Sequence, residues 1–146
     1  MYLIPSEFFV TSSSAVSSVS ALNAFDRALI TAGIGEQNLV SVSSVIPIGS
    51  VLTDRKEMPM GAVTHCVLAQ MRGSEGETIS AGIAYALRLD GMGGYVAEGH
   101  LHGSEDSLRE DLRWKMKEMG RIREVELGEI AFATQELKIP TDNYGC

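Results

Sequence analysis

Two adjacent serines, Ser43 and Ser44, lie in the stretch VSVSSVIP (residues 40–47), whose other residues have the pattern of a buried β-strand. A hydroxyl in such a strand must either find a hydrogen-bond partner or be present because a reaction takes place on it. Serine is also common at strand ends, where its hydroxyl can bond the local backbone. The pair therefore raises the question of chemistry but does not answer it.

Two acidic residues have the type and position to do chemistry. Glu98 is a lone carboxyl between Ala97 and Gly99 in a predicted apolar strand, where burial would suit it to general-acid work at neutral pH. A solvated glutamate at a strand end is the simpler interpretation. Asp26 borders the apolar face of a predicted helix, and an aspartate there is usually solvated or paired. Neither residue is assigned a function by its pattern alone.

Histidine and cysteine give weaker indications. His100 and His102 alternate along one strand face and could chelate a metal, but no third ligand has a convincing spacing, so we predict no metal site. His65 is expected to be a core or interface residue. Cys66 and Cys146 form no CxxC motif, and they are not expected to form a disulfide framework.

The positions of these residues depend on the predicted helices and strands. Apolar residues spaced by three and four predict a helix in residues 21–35, ended by Gly33 or Gly35, with Asn23 as an alternative cap. Ser104 is predicted to cap a second helix, to residue 123, with an apolar stripe ending at Ile122. Alternating patterns predict an extended segment at residues 8–19 and strands at 37–47, 61–73, 78–90, 93–103 and 128–139.

This order of elements predicts one α+β domain over residues 1–146, an αββα-type sandwich with helices packed on a mostly antiparallel sheet. The net charge of −7, with scattered Lys and Arg, argues against a nucleic-acid partner. No segment has the sustained hydrophobicity of a membrane span, and no signal peptide is recognised, so we expect no membrane partner and a cytoplasmic protein.

An ordered set of motifs resembles the pyruvoyl-dependent arginine decarboxylases. The motifs are LNAFDRALITAGIG, NLVSVSSVIP, MPMGA, GETISA and AEG, and together they extend from about Leu22 to Cys146. In that family the chain breaks between two serines. The resemblance therefore implies self-cleavage between Ser43 and Ser44, which gives a β chain of residues 1–43 and an α chain of residues 44–146.

The resemblance also implies a cofactor and a reaction. Ser44 would become a covalent pyruvoyl group, an electron sink used without metal or pyridoxal phosphate, and L-arginine would be converted to agmatine and CO₂. Asn38 would assist self-cleavage as an amide donor, although its pattern equally fits a turn residue at a strand start. Glu98 would return a proton to the substrate carbon.

Substrate contacts and assembly follow from the same resemblance. Asp26 would bind the substrate guanidinium, Leu29 would line the pocket for its methylene stem, and Gly35 would allow the backbone to approach it. Family members are trimers of processed protomers, and some are hexamers, so Asp26 would serve the pyruvoyl group of an adjacent protomer. Two alternatives stay open: the same chemistry on another amino acid, and an uncleaved oligomeric protein that binds cationic amino acids.

Overall fold

The chain forms two helices and eleven strands in the computed structural model, which describes residues 1–146. The helices are α1 (Ala21–Thr31) and α2 (Glu105–Arg123), and neither is long and apolar enough to cross a membrane. The strands are β1 (Glu7–Phe8), β2 (Val16–Ser17), β3 (Asn38–Ser41), β4 (Val45–Ile46), β5 (Val51–Leu52), β6 (Val63–Cys66), β7 (Gly73–Ser74), β8 (Thr78–Leu87), β9 (Gly94–His102), β10 (Ala131–Lys138) and β11 (Tyr144–Gly145). The predicted α+β class is confirmed.

An antiparallel sheet in the order β10-β8-β9-β4 carries the core. Because side chains alternate between the two faces of a strand, β9 directs one set toward α2 and the other set away from it. The buried cluster under α2 consists of Ala84, Ala86, Tyr95, Ala97, Leu108, Leu112 and Met116. The opposite set on β9 is Val96, Glu98, His100 and His102, and three of these four are exposed.

Helix α2 begins as predicted, with the Ser104 side chain accepting a hydrogen bond from the Ser107 amide. Acidic residues lie in its first turn and arginines in its last turn, where each complements the helix dipole. The predicted apolar stripe was wrong at Ile122, which is 64% exposed. In the last turn Gly120 is buried instead, because it packs against Val125 and Leu127.

Helix α1 is capped by Ser20 rather than by Asn23, since the Ser20 hydroxyl accepts from the Asn23 amide. It is terminated by Gly33, which lies two residues beyond Thr31 and has a φ of +83°. The Gly33 amide bonds the Ile30 carbonyl and the Ile34 amide bonds the Leu29 carbonyl, which is the Schellman pattern. The helix packs on a second sheet, β2-β11-β7. Strand β11, which the sequence patterns did not predict, is the central strand of that sheet.

Two predicted strands are each divided. The segment predicted as one strand at 37–47 forms β3, which pairs in parallel with β6, and β4, which pairs with β9 in a different sheet. The segment 61–73 forms only β6 and the start of β7. In both cases the pairing partner changes within a continuous apolar pattern. The pattern does not predict this change, because hydrophobic alternation indicates burial and not which strand pairs with the segment.

A cavity of about 790 Å³ separates the second face of the main sheet from α1. Its walls are mostly apolar and include Tyr85 and Val96 from the sheet and Phe25 and Leu29 from the helix. Helix α2 therefore packs on one face of the main sheet, and α1 lies across the cavity from the other face. The αββα sandwich itself stays a prediction.

One polar contact joins the second sheet to the edge of the first. Glu77 Oε2 lies 2.6 Å from His102 Nε2 at the end of β9, and Glu77 Oε1 accepts from the amide and hydroxyl of Ser74 at 3.0 and 2.6 Å. The hydrogen bonds from Ser74, followed by that from His102, lower the pKa of Glu77. The ionised carboxylate is thus the form that this contact favours.

Replacing Leu112 by alanine is expected to cost about 2–5 kcal/mol of unfolding free energy, because Leu112 is fully buried under α2 and its truncation leaves a cavity. Urea denaturation followed by circular dichroism measures the change. Ile122→Ala is the matched control on the same helix, with an expected change within about 0.5 kcal/mol. Equal losses in the two variants would contradict the packing described here.

Replacing Glu77 by glutamine is expected to reduce stability in a pH-dependent way. A carboxylate whose pKa is lowered by folding contributes stability above its unfolded-state pKa and loses it as pH falls through its folded-state pKa. The difference in urea midpoint between wild type and Glu77→Gln should therefore be full above the ordinary glutamate pKa of about 4.3 and disappear as the pH falls below the lowered folded-state pKa of Glu77. Glu36→Gln, at an exposed carboxylate without a side-chain partner, serves as the control. A difference that is independent of pH would argue against the contact.

Candidate active site

The serine pair lies where the chain passes from one sheet to another. The Val42 amide bonds the Cys66 carbonyl at 2.9 Å and so extends the β3–β6 ladder to the residue before Ser43. The Ser44 carbonyl accepts from the Val96 amide, also at 2.9 Å, which extends the β4–β9 ladder. The peptide between Ser43 and Ser44 is therefore anchored on both sides by different sheets.

The backbone of this pair is not in the left-handed region. Among non-glycine residues, positive φ occurs only at Glu124 and Asp142. Ser43 is exposed and Ser44 is half-buried. The structure thus holds the Ser43–Ser44 peptide by its flanking ladders rather than by a positive φ.

Glu98 lies two residues beyond Val96 on the same face of β9. Strand β4 pairs with β9 only at Gly94 and Tyr95, so the outer edge of β9 has no strand partner at Glu98. The side chain is exposed within one chain, which agrees with the simpler interpretation of a solvated glutamate and not with the burial that would suit a general acid. Any burial of Glu98 must come from outside the protomer.

A smaller cavity of about 320 Å³ lies at this open edge. It is lined by Leu68, Ala69, Gln70, Glu98, Gly99, His100 and Lys115. Lys115 reaches across from α2, with its Nζ 3.5 Å from the Glu98 carbonyl oxygen and 2.9 Å from Asp111 Oδ2. The site therefore combines one carboxyl, one imidazole and one ammonium around a partly apolar space.

Asp26 is exposed on α1 and lines neither of these cavities. It has no ion pair or side-chain hydrogen bond within the chain, whereas its neighbour Arg27 reaches the Val16 carbonyl at 3.4 Å. Leu29, one turn further along α1, is half-buried in the wall of the larger cavity. The protomer thus presents an unpaired carboxylate next to an apolar wall, and it does not bring Asp26 to Glu98.

Asn38 lies at the start of β3, where its Nδ2 donates to the Gly61 carbonyl at 2.9 Å. Ser43 is five residues further along an extended segment, a distance of about 16 Å at roughly 3.3 Å per residue. The Asn38 amide therefore lies too far away to contact the Ser43–Ser44 peptide of its own chain. In the protomer it ties β3 to the loop before β6.

Gly35 has a packing requirement of its own. A Cβ on this residue would lie 2.6 Å from Ile30 Cγ1 and 2.9 Å from the Ile30 backbone. The absence of a side chain is thus already explained by the close contact with the last turn of α1. A role in substrate approach is not needed to account for this glycine.

Lys115 and Gln70 were missed by the sequence interpretation. Lys115 follows Asp111 by four residues on a helix, the spacing of an ordinary surface ion pair. Nothing in that spacing shows that the helix crosses the open edge of β9. Gln70 belongs to a segment predicted as strand, and it reaches the cavity because the chain leaves the ladder after Cys66.

Comparison with known proteins agrees with the resemblance seen in the motifs. The family model described as pyruvoyl-dependent arginine decarboxylase (PvlArgDC) matches residues 7–146. The protein of that name from Methanothermobacter thermautotrophicus is 33% identical over 119 residues, which cover 81% of this chain and 78% of the relative. The one from Thermococcus kodakarensis is 35% identical over 120 residues, 81% of this chain and 76% of the relative.

A third relative has the same name and a longer alignment. The pyruvoyl-dependent arginine decarboxylase of Methanococcus vannielii is 31% identical over 127 residues, covering 86% of this chain and 76% of the relative. The match of the family model spans β1 to β11 and includes every candidate residue described above. The chain therefore belongs to the pyruvoyl-dependent arginine decarboxylase family.

Proposed function

We propose that this protein decarboxylates L-arginine to agmatine and CO₂ with a pyruvoyl group that forms from Ser44 after self-cleavage of the Ser43–Ser44 peptide. The observation that carries the proposal is the hydrogen bond between the Ser44 carbonyl and the Val96 amide. This bond holds residue 44 beside Val96 of β9. Glu98, the only carboxyl on that strand, lies two residues beyond Val96. The names of the relatives supply the substrate.

The residues at this point of the chain fit a pyruvoyl group. A β-hydroxyl is required, and Ser44 provides it. After cleavage, residue 44 would be a chain end, and both β4 and its bond to Val96 would keep that end in place. On the other side, β3 would keep the new carboxyl end at Ser43 attached to β6.

Self-cleavage follows from the chemistry of serine. Ser44 Oγ attacks the Ser43 carbonyl carbon, and the peptide C–N bond breaks as an ester forms. Elimination then releases the Ser43 carboxylate and leaves dehydroalanine at position 44, which takes up water and loses ammonia to give the ketone. Because the Asn38 amide is far from this peptide in its own chain, it acts either from a second copy or by holding β3 on the Gly61 loop.

In the decarboxylation step, the pyruvoyl group supplies a ketone for the substrate amine and an electron sink for the charge left by CO₂. Asp26 accepts two parallel hydrogen bonds from the substrate guanidinium, for which its unpaired carboxylate is suited. Leu29 contacts the methylene stem, and Gly35 allows the backbone to lie close by. Glu98 returns a proton to the α-carbon.

These roles require more than one copy of the chain, because Asp26 and Glu98 share no cavity within a protomer. Exposed apolar side chains flank the serine pair, since Val42 is 45% and Val45 58% exposed, and they continue along the β3–β6 ladder with Val40 at 41% and Val63 at 66%. Together with the open edge of β9, they offer a surface that a second copy would cover. We therefore propose a homo-oligomer, a trimer or a hexamer, in which Glu98 becomes buried.

Ser44→Ala is expected to abolish cleavage, since alanine has no nucleophilic oxygen. Denaturing intact-mass spectrometry should show one chain of 15.7 kDa for this variant and two chains for the wild type. Ser43→Ala is the matched control and should still cleave, because only the carbonyl of residue 43 takes part. The larger wild-type fragment should lack a free amino terminus and react with a carbonyl reagent.

An uncleaved wild-type chain that binds arginine without turnover would contradict the proposal and favour a binding protein for cationic amino acids. Cleaved protein that is inactive on arginine but active on another amino acid would place the error in the substrate alone. Cleavage of Ser44→Ala would exclude Ser44 as the nucleophile.

Glu98→Gln is expected to cleave normally and to lose about 10²–10⁴-fold in kcat. Asp26→Asn should instead raise KM by about 10–100-fold, the effect of losing a charge-assisted hydrogen bond of about 1.5–3 kcal/mol. Steady-state assays of agmatine release would separate the two effects. Asp106→Asn, at an exposed aspartate on α2, is the control.

Mixing the two variants tests the shared site. If Asp26 and Glu98 come from different copies, refolded mixtures of Asp26→Asn and Glu98→Gln contain some sites with both native residues, and activity should rise above that of either variant. Mixtures no more active than the separate variants would mean that both residues serve the same copy.

A further inference from the structure

We infer that His100 supplies the proton that Glu98 delivers, an inference that rests on the proposed decarboxylase function and deepens it. Conversion of arginine to agmatine and CO₂ takes up one proton per turnover, so Glu98 must be protonated again after each cycle. His100 is a positioning residue in this scheme: it holds a proton next to Glu98 and does not touch the substrate.

Geometry places His100 beside Glu98. The two residues alternate on the same face of β9, which separates their Cα atoms by about 7 Å. Both line the 320 Å³ cavity at the open edge, and both are exposed within the protomer. On this face of β9, His100 lies between Glu98 and His102, the last residue of the strand. It is therefore the side chain next to Glu98 when a second copy covers Glu98, as proposed above.

The other polar groups around His100 are not suited to this role. A lysine ammonium ordinarily loses its proton only well above neutral pH. Lys115, from α2, is also paired with Asp111. Gln70, from the segment after β6, does not titrate and accepts a hydrogen bond from Arg72 at 3.3 Å. In β8, the residue paired with His100 is Ala81, which carries no titratable group.

His102 is the second imidazole on this face of β9, but it is already engaged. Its Nε2 lies 2.6 Å from Glu77 Oε2. His100 makes no side-chain hydrogen bond or ion pair in the chain, so its ring nitrogens are available. An imidazole ordinarily titrates at about pH 6.5, which allows it both to give and to take up a proton under neutral conditions.

The transfer is a simple proton exchange. An imidazolium N–H of His100 gives its proton to a carboxylate oxygen of Glu98, directly or through one water molecule, which leaves a neutral imidazole and a neutral carboxyl. An acid from solvent then protonates the imidazole again. Glu98 is thereby ready for the next substrate.

The kinetic test compares His100→Gln with His102→Gln over about pH 5.5–8.5. His100→Gln should lower kcat roughly tenfold at neutral pH with KM unchanged, and added imidazole should restore much of the loss. The inflection of kcat in the range of imidazole titration should disappear in this variant. His102→Gln should keep both kcat and the inflection. A His100→Gln profile equal to that of the wild type, or a loss that imidazole does not restore, would overturn the inference.

A second readout does not depend on turnover. At about pH 6.5 and low ionic strength, NMR of the imidazole rings should show a ratio of charged to neutral His100 that is lower by up to roughly twofold in Glu98→Gln, since this variant lacks the ionised carboxylate that stabilises the imidazolium before the proton is transferred. His65, an exposed residue on β6, is the internal control. An unchanged His100 ratio would overturn the inference. Wild-type protein that cleaves but does not act on arginine would overturn the proposed function and not the coupling that this titration measures.

Discussion

The structure depends on one change of backbone pairing. Within three residues, the chain stops bonding to β6 at Val42 and starts bonding to β9 at Ser44. A single ladder would have held Ser43 and Ser44 in the middle of a strand, with their peptide group engaged by a neighbour. Because the chain pairs with two sheets instead, this peptide lies between two fixed points. The second of these points is on β9, the strand that carries Glu98.

The same change accounts for the open edge beside Glu98. Strand β4 has only two residues, so the outer edge of β9 is left without a strand partner from Glu98 onward, and the cavity with His100 and Lys115 opens there. Asp26 faces solvent on a helix that packs on the other sheet. A net charge of −7 also suits a protein whose proposed substrate and product are both cationic, since the field of the surface attracts them.

Sequence patterns predicted the elements that depend on local chemistry. Ser104 and the acidic first turn marked α2, and Gly33 marked the end of α1, because caps and left-handed glycines act within a few residues. The patterns failed where tertiary pairing decides. They gave one strand for 37–47, placed Ile122 in the core and missed β11, whose two residues pair on both sides with distant segments.

The candidate site shows the same division. The residue types at 26, 43, 44 and 98 were recognisable from ordered motifs, and the comparisons confirm the family. The open edge of β9 beside Glu98, the distance of Asn38 from the serine pair and the approach of Lys115 followed only from the arrangement of strands. The spacing of residues along the chain does not indicate where a neighbouring strand stops pairing.

The pairing of the first 43 residues with the rest of the chain has a thermodynamic consequence. Strands β1, β2 and β3 each pair with a strand that follows Ser44, namely β5, β11 and β6. A cut at Ser43 would thus break no ladder, and the two fragments would stay joined as parts of the same sheets. Unfolding of the cleaved protein would therefore also be a dissociation into two chains. Stability would then depend on protein concentration, and dilution after denaturation would oppose recovery of the native state.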